Sequence, residues 1–328
     1  MADWTEDDTD LFRSVGGTRI NPGKGLDAEW MFGWFPQDPF TDATLDLGAK
    51  LFSDVAPLLE GSGAGKTVLL YEAVRQVWQR DLDSGPQAIG DCVSWGFGGA
   101  VDLLACVEIV AGEAESYDWP YRASTEVIYA LSRREYGNAS RFRDGSSSVW
   151  AAVAVVKGGT LSREAIRQYD PARPEYDGDR ARRWGKTGLP DDLEPLAREH
   201  RIANAALVTR FEDARDAIAN GYPVAVGSSQ GFVTVRDADG FCAPSKSWSH
   251  CMKFIASRDD RRPGLLCMNS WGDASPAGPT GEHAIPAGAF WVDAAICNAM
   301  LKQRGGFALS GFAGYQPRAE KLHALLGA

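Results

Sequence analysis

"SKSWSHCMKFIASRDDRRPGLLCMNSWGD", residues 245–273, carries two apolar runs on either side of a charged turn. His250 opens the first run, SRDDRRPG supplies the turn, and LLCMNSW forms a second run that ends with Asn269 in it. Short apolar runs bounded by Gly, Pro and Asp predict a β-hairpin. Such a hairpin sets His250 and Asn269 on neighbouring strands, where a side-chain amide can hold an imidazole in one tautomer. Asp259 and Asp260, flanked by arginines, read as the charged hairpin tip.

A histidine oriented in this way needs a nucleophile, and "GPQAIGDCVSWGFGGAVDLLACVEIV", residues 85–110, offers one. Val93, Phe97, Val101, Leu104 and Val107 recur at about one helical turn, which predicts a core helix beginning at Cys92. Gly96, Gly98 and Gly99 cost that helix propensity that only close packing can offset. At a helix N-terminus, unpaired N–H groups and the positive end of the dipole favour a thiolate over a thiol. Position alone leaves two readings open: an activated thiol, or a cysteine that merely starts a buried helix.

Four stretches together resemble the papain-like cysteine peptidases. QAIGDCVSWGF resembles the family's Gln and Gly-x-Cys helix start, SWSHCMKFI its histidine strand, CMNSWG its Asn-Ser-Trp-Gly, and GAFWV (288–292) the strand that follows. The order Cys, His, Asn, with the last two far downstream, is the papain-type order. Weaker echoes in STEVIYALSRREYG, DGSSSVWAAVAVVKGGTLSRE and VTRFEDARDAIANGYPVAVGSS extend the resemblance over about 68–295. The wording around Cys92 and His250 is nearer to bacterial and phage-encoded relatives than to plant or lysosomal ones.

The resemblance implies an α+β fold of two lobes. A helical lobe would be built on the Cys92 helix, a β-barrel-like lobe would carry His250 and Asn269, and substrate would bind in the cleft between them. It implies Cys92 as nucleophile, His250 as general base and then acid, Asn269 as orienter of His250, and Gln87 with the Cys92 backbone N–H as oxyanion donors. Trp271 would shield the His–Asn hydrogen bond. A peptide or protein is the implied substrate, and no cofactor or metal is implied. Three positions depart from the family: Asp91 precedes Cys92 where a small residue is usual, Val93 stands where Trp is common, and Gln87 is one residue nearer the cysteine than usual. A carboxylate at Asp91 disfavours a thiolate beside it unless it points away or is paired.

Composition narrows the partners. The chain of 328 residues has a formal net charge of −10 and a pI near 5.0, and its densest basic run, RARRW at 180–184, is short and diluted by acids. That balance argues against a nucleic-acid surface, which needs clustered Lys and Arg. No basic leader with an apolar core opens the chain and no apolar run reads as a membrane span, so the expectation is a cytoplasmic protein, or a virion-associated one if phage-encoded. The six cysteines show no CxxC pair, and most, Cys106 above all, read as small buried hydrophobes. Cys251 is expected on the strand face opposite His250, filling core behind the sheet. His200, His283 and His323 read as surface residues.

Residues 1–67 stand apart as an N-terminal arm. After an acidic opening, EWMFGWFPQDPF crowds Trp30, Phe32, Trp34, Phe35 and Phe40 around two prolines, and 43–59 reads as a short amphipathic helix. So much aromatic surface lies across its own domain or docks on a partner, and the expectation is a docking arm for a larger assembly. EGSGAGKT (60–67) is half a phosphate-binding loop, but Glu60 stands where its first glycine belongs, so it reads as a plain flexible loop. The catalytic domain is expected over 68–300, with a polar stretch at 170–200 wandering over the surface, and 301–328 as a C-terminal extension ending in a helix. A second class of function fits the same residues: a papain-fold assembly component, such as part of a phage particle, with its triad idle or used once.

Overall fold

The predicted hairpin forms the centre of a seven-stranded antiparallel sheet. The computed structural model describes residues 33–36, 50–113, 122–137, 144–311 and 314–326. Its strands are β1 (Thr67–Leu69), β2 (Asn204–Val208), β3 (Val224–Phe232), β4 (Pro244–Arg258), β5 (Gly264–Met268), β6 (Ala289–Asp293) and β7 (Gly306–Ser310). They are ordered β2-β7-β3-β4-β5-β6, with β1 also paired to β4. β4 pairs with β3 at Ser228↔His250 and with β5 at Lys253↔Met268, so Asn269 emerges from β5 just beyond the paired residues. The 301–328 segment, expected as an extension, supplies β7, which lies between β2 and β3.

The helix predicted to start at Cys92 spans Cys92–Val110 and packs across β4. Cys92, Gly96 and Gly99 share one stripe at i, i+4, i+7 and face the strand. A Cβ on Gly96 would lie 2.8 Å from Cys251 Sγ, and one on Gly99 would lie 2.5 Å from Lys253 Cε. The glycines, each costing about 1 kcal/mol of helix propensity, thus let helix and strand approach closely enough to bury Cys251 and Lys253 between them. Cys251 does point away from His250, but what it fills is the layer between sheet and central helix. This helix has the length and apolarity of a membrane span, contrary to the sequence expectation, and 83% of its apolar window is buried inside the fold.

Burial pushes the Lys253 ammonium down to about 8, while Cys267 and Asp102 act to raise it and Arg122 to lower it. A folded-state value below the unfolded one means that the charged amine opposes folding below pH 8 and that this cost fades as pH rises towards 10.5. Two and a half pH units correspond to about 3 kcal/mol at most. Lys253→Met is therefore expected to be more stable than wild type in urea at pH 7, by about 1–3 kcal/mol. The difference should shrink between pH 8 and 10.5, and a destabilised variant at pH 7 would contradict the assignment.

On the other side of the central helix lie short helices at Thr125–Ala130, Ser148–Val153, Arg163–Tyr169, Gly178–Thr187 and Glu194–Glu199. The stretch 170–200 does not merely wander over the surface. Within it the Gly178–Thr187 helix is capped by Asp177, whose carboxylate accepts from Arg180 N–H, and it buries Ala181, Trp184 and the whole of Arg180. The apolar spacing of that helix was hidden because its buried face includes an arginine. Arg180 is stabilised there by Glu126, itself fully buried, at 2.7 Å, and Glu126 also takes both guanidinium nitrogens of Arg163 at 2.9 and 2.6 Å.

Of the N-terminal arm, 33–36 and the residues from 50 onward are described; Trp30, Phe32, Phe40 and the first part of the predicted 43–59 helix lie outside the described residues. Phe52–Val55 is helical and Pro57–Leu59 continues as a 3₁₀ turn. The glycine loop that follows is pinned rather than open. Gly61 and Gly63 donate to the Asp216 carboxylate at 2.8 and 3.0 Å, and Gly65 donates to Asp259. Carboxylates thus occupy the amides a phosphate would need, and Thr67 starts a strand instead of a helix.

Candidate active site

The site is assembled where the central helix begins and β4 passes it. Asn269 Oδ1 accepts from the Ser270 backbone N–H at 2.7 Å, which fixes that atom as the oxygen. His250 Nε2 lies 2.7 Å from the same oxygen, so Nε2 carries the proton and donates. In the neutral imidazole Nδ1 is then the basic nitrogen. His250 is fully buried and Asn269 nearly so. Trp271 packs its ring 4.7 Å from the imidazole, tilted by 36°, while Trp248 lies 4.7 Å from Trp271 and edge-on to His250 at 6.3 Å. Two indoles thus keep water from the His250–Asn269 bond. Trp248 was missed by the sequence reading, although its position two residues before His250 on one strand puts both on the same face.

The Cys92 thiol faces β4 beside this pair. Backbone N–H groups of Cys251 and Gly33 are within hydrogen-bonding reach of the sulfur and favour its ionised form. Burial outweighs them and, with the charges of Cys251 and Asp91 adding to it, pushes the Cys92 thiol well above its ordinary range. The thiolate expected from helix position alone is therefore overridden in this state by desolvation.

Asp91 is turned away from the site. Its Oδ2 accepts from Tyr176 Oη at 2.9 Å, and Tyr176 Oη in turn accepts from the Ala88 backbone N–H. Burial, assisted by the charge of Glu126, pushes the Asp91 carboxyl well above the carboxylate range. The carboxyl group next to Cys92 is thus paired with Tyr176. Tyr176 also packs edge-on against Trp95 at 5.0 Å and so ties the 170s segment to the Cys92 loop. Nothing in its polar sequence surroundings signals this role.

Gln87 is brought to the same loop cluster. Its backbone N–H donates to Ser270 O at 3.0 Å, its Oε1 accepts from Ser270 Oγ at 2.6 Å, and its amide nitrogen donates to Ile89 O at 3.1 Å. Pro86 bridges to Trp271 as well. The loop before Cys92 is therefore stitched to the segment carrying Asn269 and Trp271, and in this state the Gln87 amide is directed at Ile89. Among the described residues, no group of three or more His, Cys, Asp or Glu side chains could hold a metal ion. All six cysteines are buried thiols.

One piece of the N-terminal arm lies in the site. Gly33 and Trp34 both donate their backbone N–H to Ser249 O, at 3.0 and 3.1 Å, and Gly33 O and Phe35 N exchange hydrogen bonds with Ser146 at 2.7 and 2.8 Å. Trp34 pairs in parallel with Ser146. The segment spans from the loop ahead of the Ser148–Val153 helix to the residue before His250, passing over Gly90, and Cys92 is left with no exposed surface. The sulfur meets the amide N–H of Gly33 in this segment.

This arrangement of helices and sheet matches known proteins in three dimensions. Xylellain, a cysteine protease from Xylella fastidiosa, superposes with a TM-score of 0.59 at 16% identity over 87% of this chain and 97% of its own. This is the fold of the papain-like cysteine proteases. Procathepsin B S9 from Trypanosoma congolense superposes with a TM-score of 0.54 at 12% identity over 93% of this chain and 96% of that one. No protein-family model and no curated protein matches the sequence. The papain-like architecture was expected from the motifs around Cys92, His250 and Asn269, and the mixed α+β class agrees with it.

Proposed function

We propose that the protein hydrolyses peptide bonds by acyl transfer through Cys92, in a cleft between a helical and a β-rich lobe. The observation that carries this reading is the His250–Asn269 hydrogen bond, roofed by Trp271, on the strand whose next N–H reaches the Cys92 thiol. Asn269 holds the imidazole so that Nδ1 takes the thiol proton. The sulfur attacks the substrate carbonyl carbon, His250 returns the proton to the leaving amine, and a thioester remains on Cys92. Water then attacks the thioester, giving its proton to His250, and the acid leaves as the thiol re-forms. The Cys92 backbone N–H and, once turned from Ile89, the Gln87 amide are placed to donate to the oxyanion. Asp91, tied to Tyr176, acts by holding the loop that carries Cys92.

The state described is closed by Gly33–Trp34, and substrate enters once that segment leaves. The closed cleft also favours a second reading, an assembly component of a larger particle whose triad is idle or used once. Hydrolysis of a fluorogenic peptide library separates the two. The peptidase reading expects turnover that rises when the segment is displaced and falls by at least about a thousandfold in Cys92→Ala, the scale on which a nucleophile acts. A displaced-segment variant whose Cys92 reacts with alkylating agents yet gives no turnover would favour the idle triad.

A further inference from the structure

The covering segment fills a pocket next to the thiol whose walls are made for one kind of side chain. Trp34 is almost completely buried, and its indole Nε1 donates to Ser148 Oγ at 3.0 Å, where Ser148 is itself 2% exposed. The ring rests on backbone. A Cβ on Gly227 would collide with the pyrrole edge of Trp34, and one on Gly305 would lie 3.1 Å from Cζ2 on the benzo edge. Gly227 N–H donates to Gly305 O at 2.9 Å, which ties the floor to the residue just before β7, and Gly227 lies within β3 opposite Cys251 in the β3–β4 pairing. The Cys251 sulfur is the other neighbour of the Ser148 hydroxyl.

We propose that the pocket formed by Gly227, Gly305 and Ser148 is a recognition site for a tryptophan side chain, so that preferred substrates carry tryptophan next to the residue presented to Cys92. This rests on the peptidase reading. The two missing side chains give the depth for a bicyclic ring, and Ser148 supplies the acceptor that an indole N–H requires once it is taken out of water. Phenylalanine fits the floor but leaves the buried Ser148 hydroxyl without the indole partner, and sites built around a hydrogen bond discriminate against analogues lacking it. Leucine fills only part of the pocket, so the uncovered wall forfeits its dispersion attraction. Trp34 occupies the pocket in cis because its neighbour Gly33 sits where the thiol is.

The test uses full-length Trp34→Ala, which empties the pocket, with acyloxymethyl ketones of the form acetyl-Xaa-Gly in which Xaa is Trp, Phe, Leu or Ala. Alkylation forms the Cys92 thioether, releases the acyloxy group as carboxylate and passes the thiol proton to His250. The Trp probe is expected to react about tenfold faster than the Phe probe, a difference of one buried hydrogen bond. That advantage should vanish in Trp34→Ala/Ser148→Ala while the Phe rate holds, and Trp34→Ala/Gly227→Val should exclude both rings. Equal Trp and Phe rates at Cys92 would overturn the pocket assignment and leave the peptidase reading standing. If no probe reacts, saturation-transfer NMR with N-acetyltryptophanamide and N-acetylphenylalaninamide on the same variant decides: Ser148-dependent preference for the indole supports the pocket while the peptidase reading falls, and no preference overturns both.

Discussion

Gly33→Val is expected to raise the rate of Cys92 alkylation at pH 7 by at least about tenfold. A side chain at residue 33 has nowhere to go, because its Cβ would collide with the carbonyl oxygen of Gly90. The segment is held by its backbone bonds to Ser249 and Ser146 and by the Trp34–Ser148 bond. Net contributions of about 0.5–1.5 kcal/mol per hydrogen bond make their joint loss larger than the 1.36 kcal/mol that corresponds to a factor of ten. The effect has a second component. Burial is the main cause of the raised Cys92 thiol, so hydrating the cleft lowers it, and the alkylation inflection should move to lower pH as well as to higher rate. Peptide mapping of the alkylated site checks both, and a rate and inflection equal to wild type would show that the segment does not control access.

The largest stability change is expected at Glu126. Burial alone would raise this carboxyl, but Arg163 and Arg180 hold it down at about 2. Glu126→Ala strands two buried guanidinium groups, and breaking such an arrangement from one side typically costs about 3–5 kcal/mol. Arg180 keeps Asp170 at 3.1 Å and the Arg173 and Glu175 carbonyls, which places the expected value at the lower end of that range. Because the folded-state value lies below the unfolded one, the stabilisation is complete above about pH 4.5 and is lost as pH falls towards 2. Urea denaturation at pH 7 and pH 3 measures this, and a loss below about 1 kcal/mol at pH 7 would mean that the network is dispensable.

The His250–Asn269 pairing and the helix start at Cys92 were legible in the sequence because their signals are local. A histidine at the head of an apolar run, a turn of charges and a second run ending in Asn269 specify a hairpin on their own, and a cysteine between a Gly/Pro loop and a helical period specifies a helix start. Distant pairing was not legible. Tyr176 reaches Asp91 from a stretch that reads as surface, Arg180 turns the buried face of its helix polar, and β7 enters the middle of the sheet from the C-terminal end. The sign of the Cys92 shift was also hidden, since the dipole argument uses the helix alone while the dominant cause is burial of the thiol by the folded chain around it. Gly227 and Gly305 carry no sequence signal either, because a glycine that makes room for a ring looks like any other until the ring is in place.

The central claim is that Cys92 and His250 form an activated pair once the cleft is open. The most direct measurement is the pH profile of Cys92 alkylation in Gly33→Val and in Gly33→Val/His250→Ala. Alkylation of the first that persists well below the ordinary thiol value of about 8.5, and that retreats to alkaline pH in the second, is the predicted result. Two superimposable profiles, both confined to alkaline pH, would contradict it.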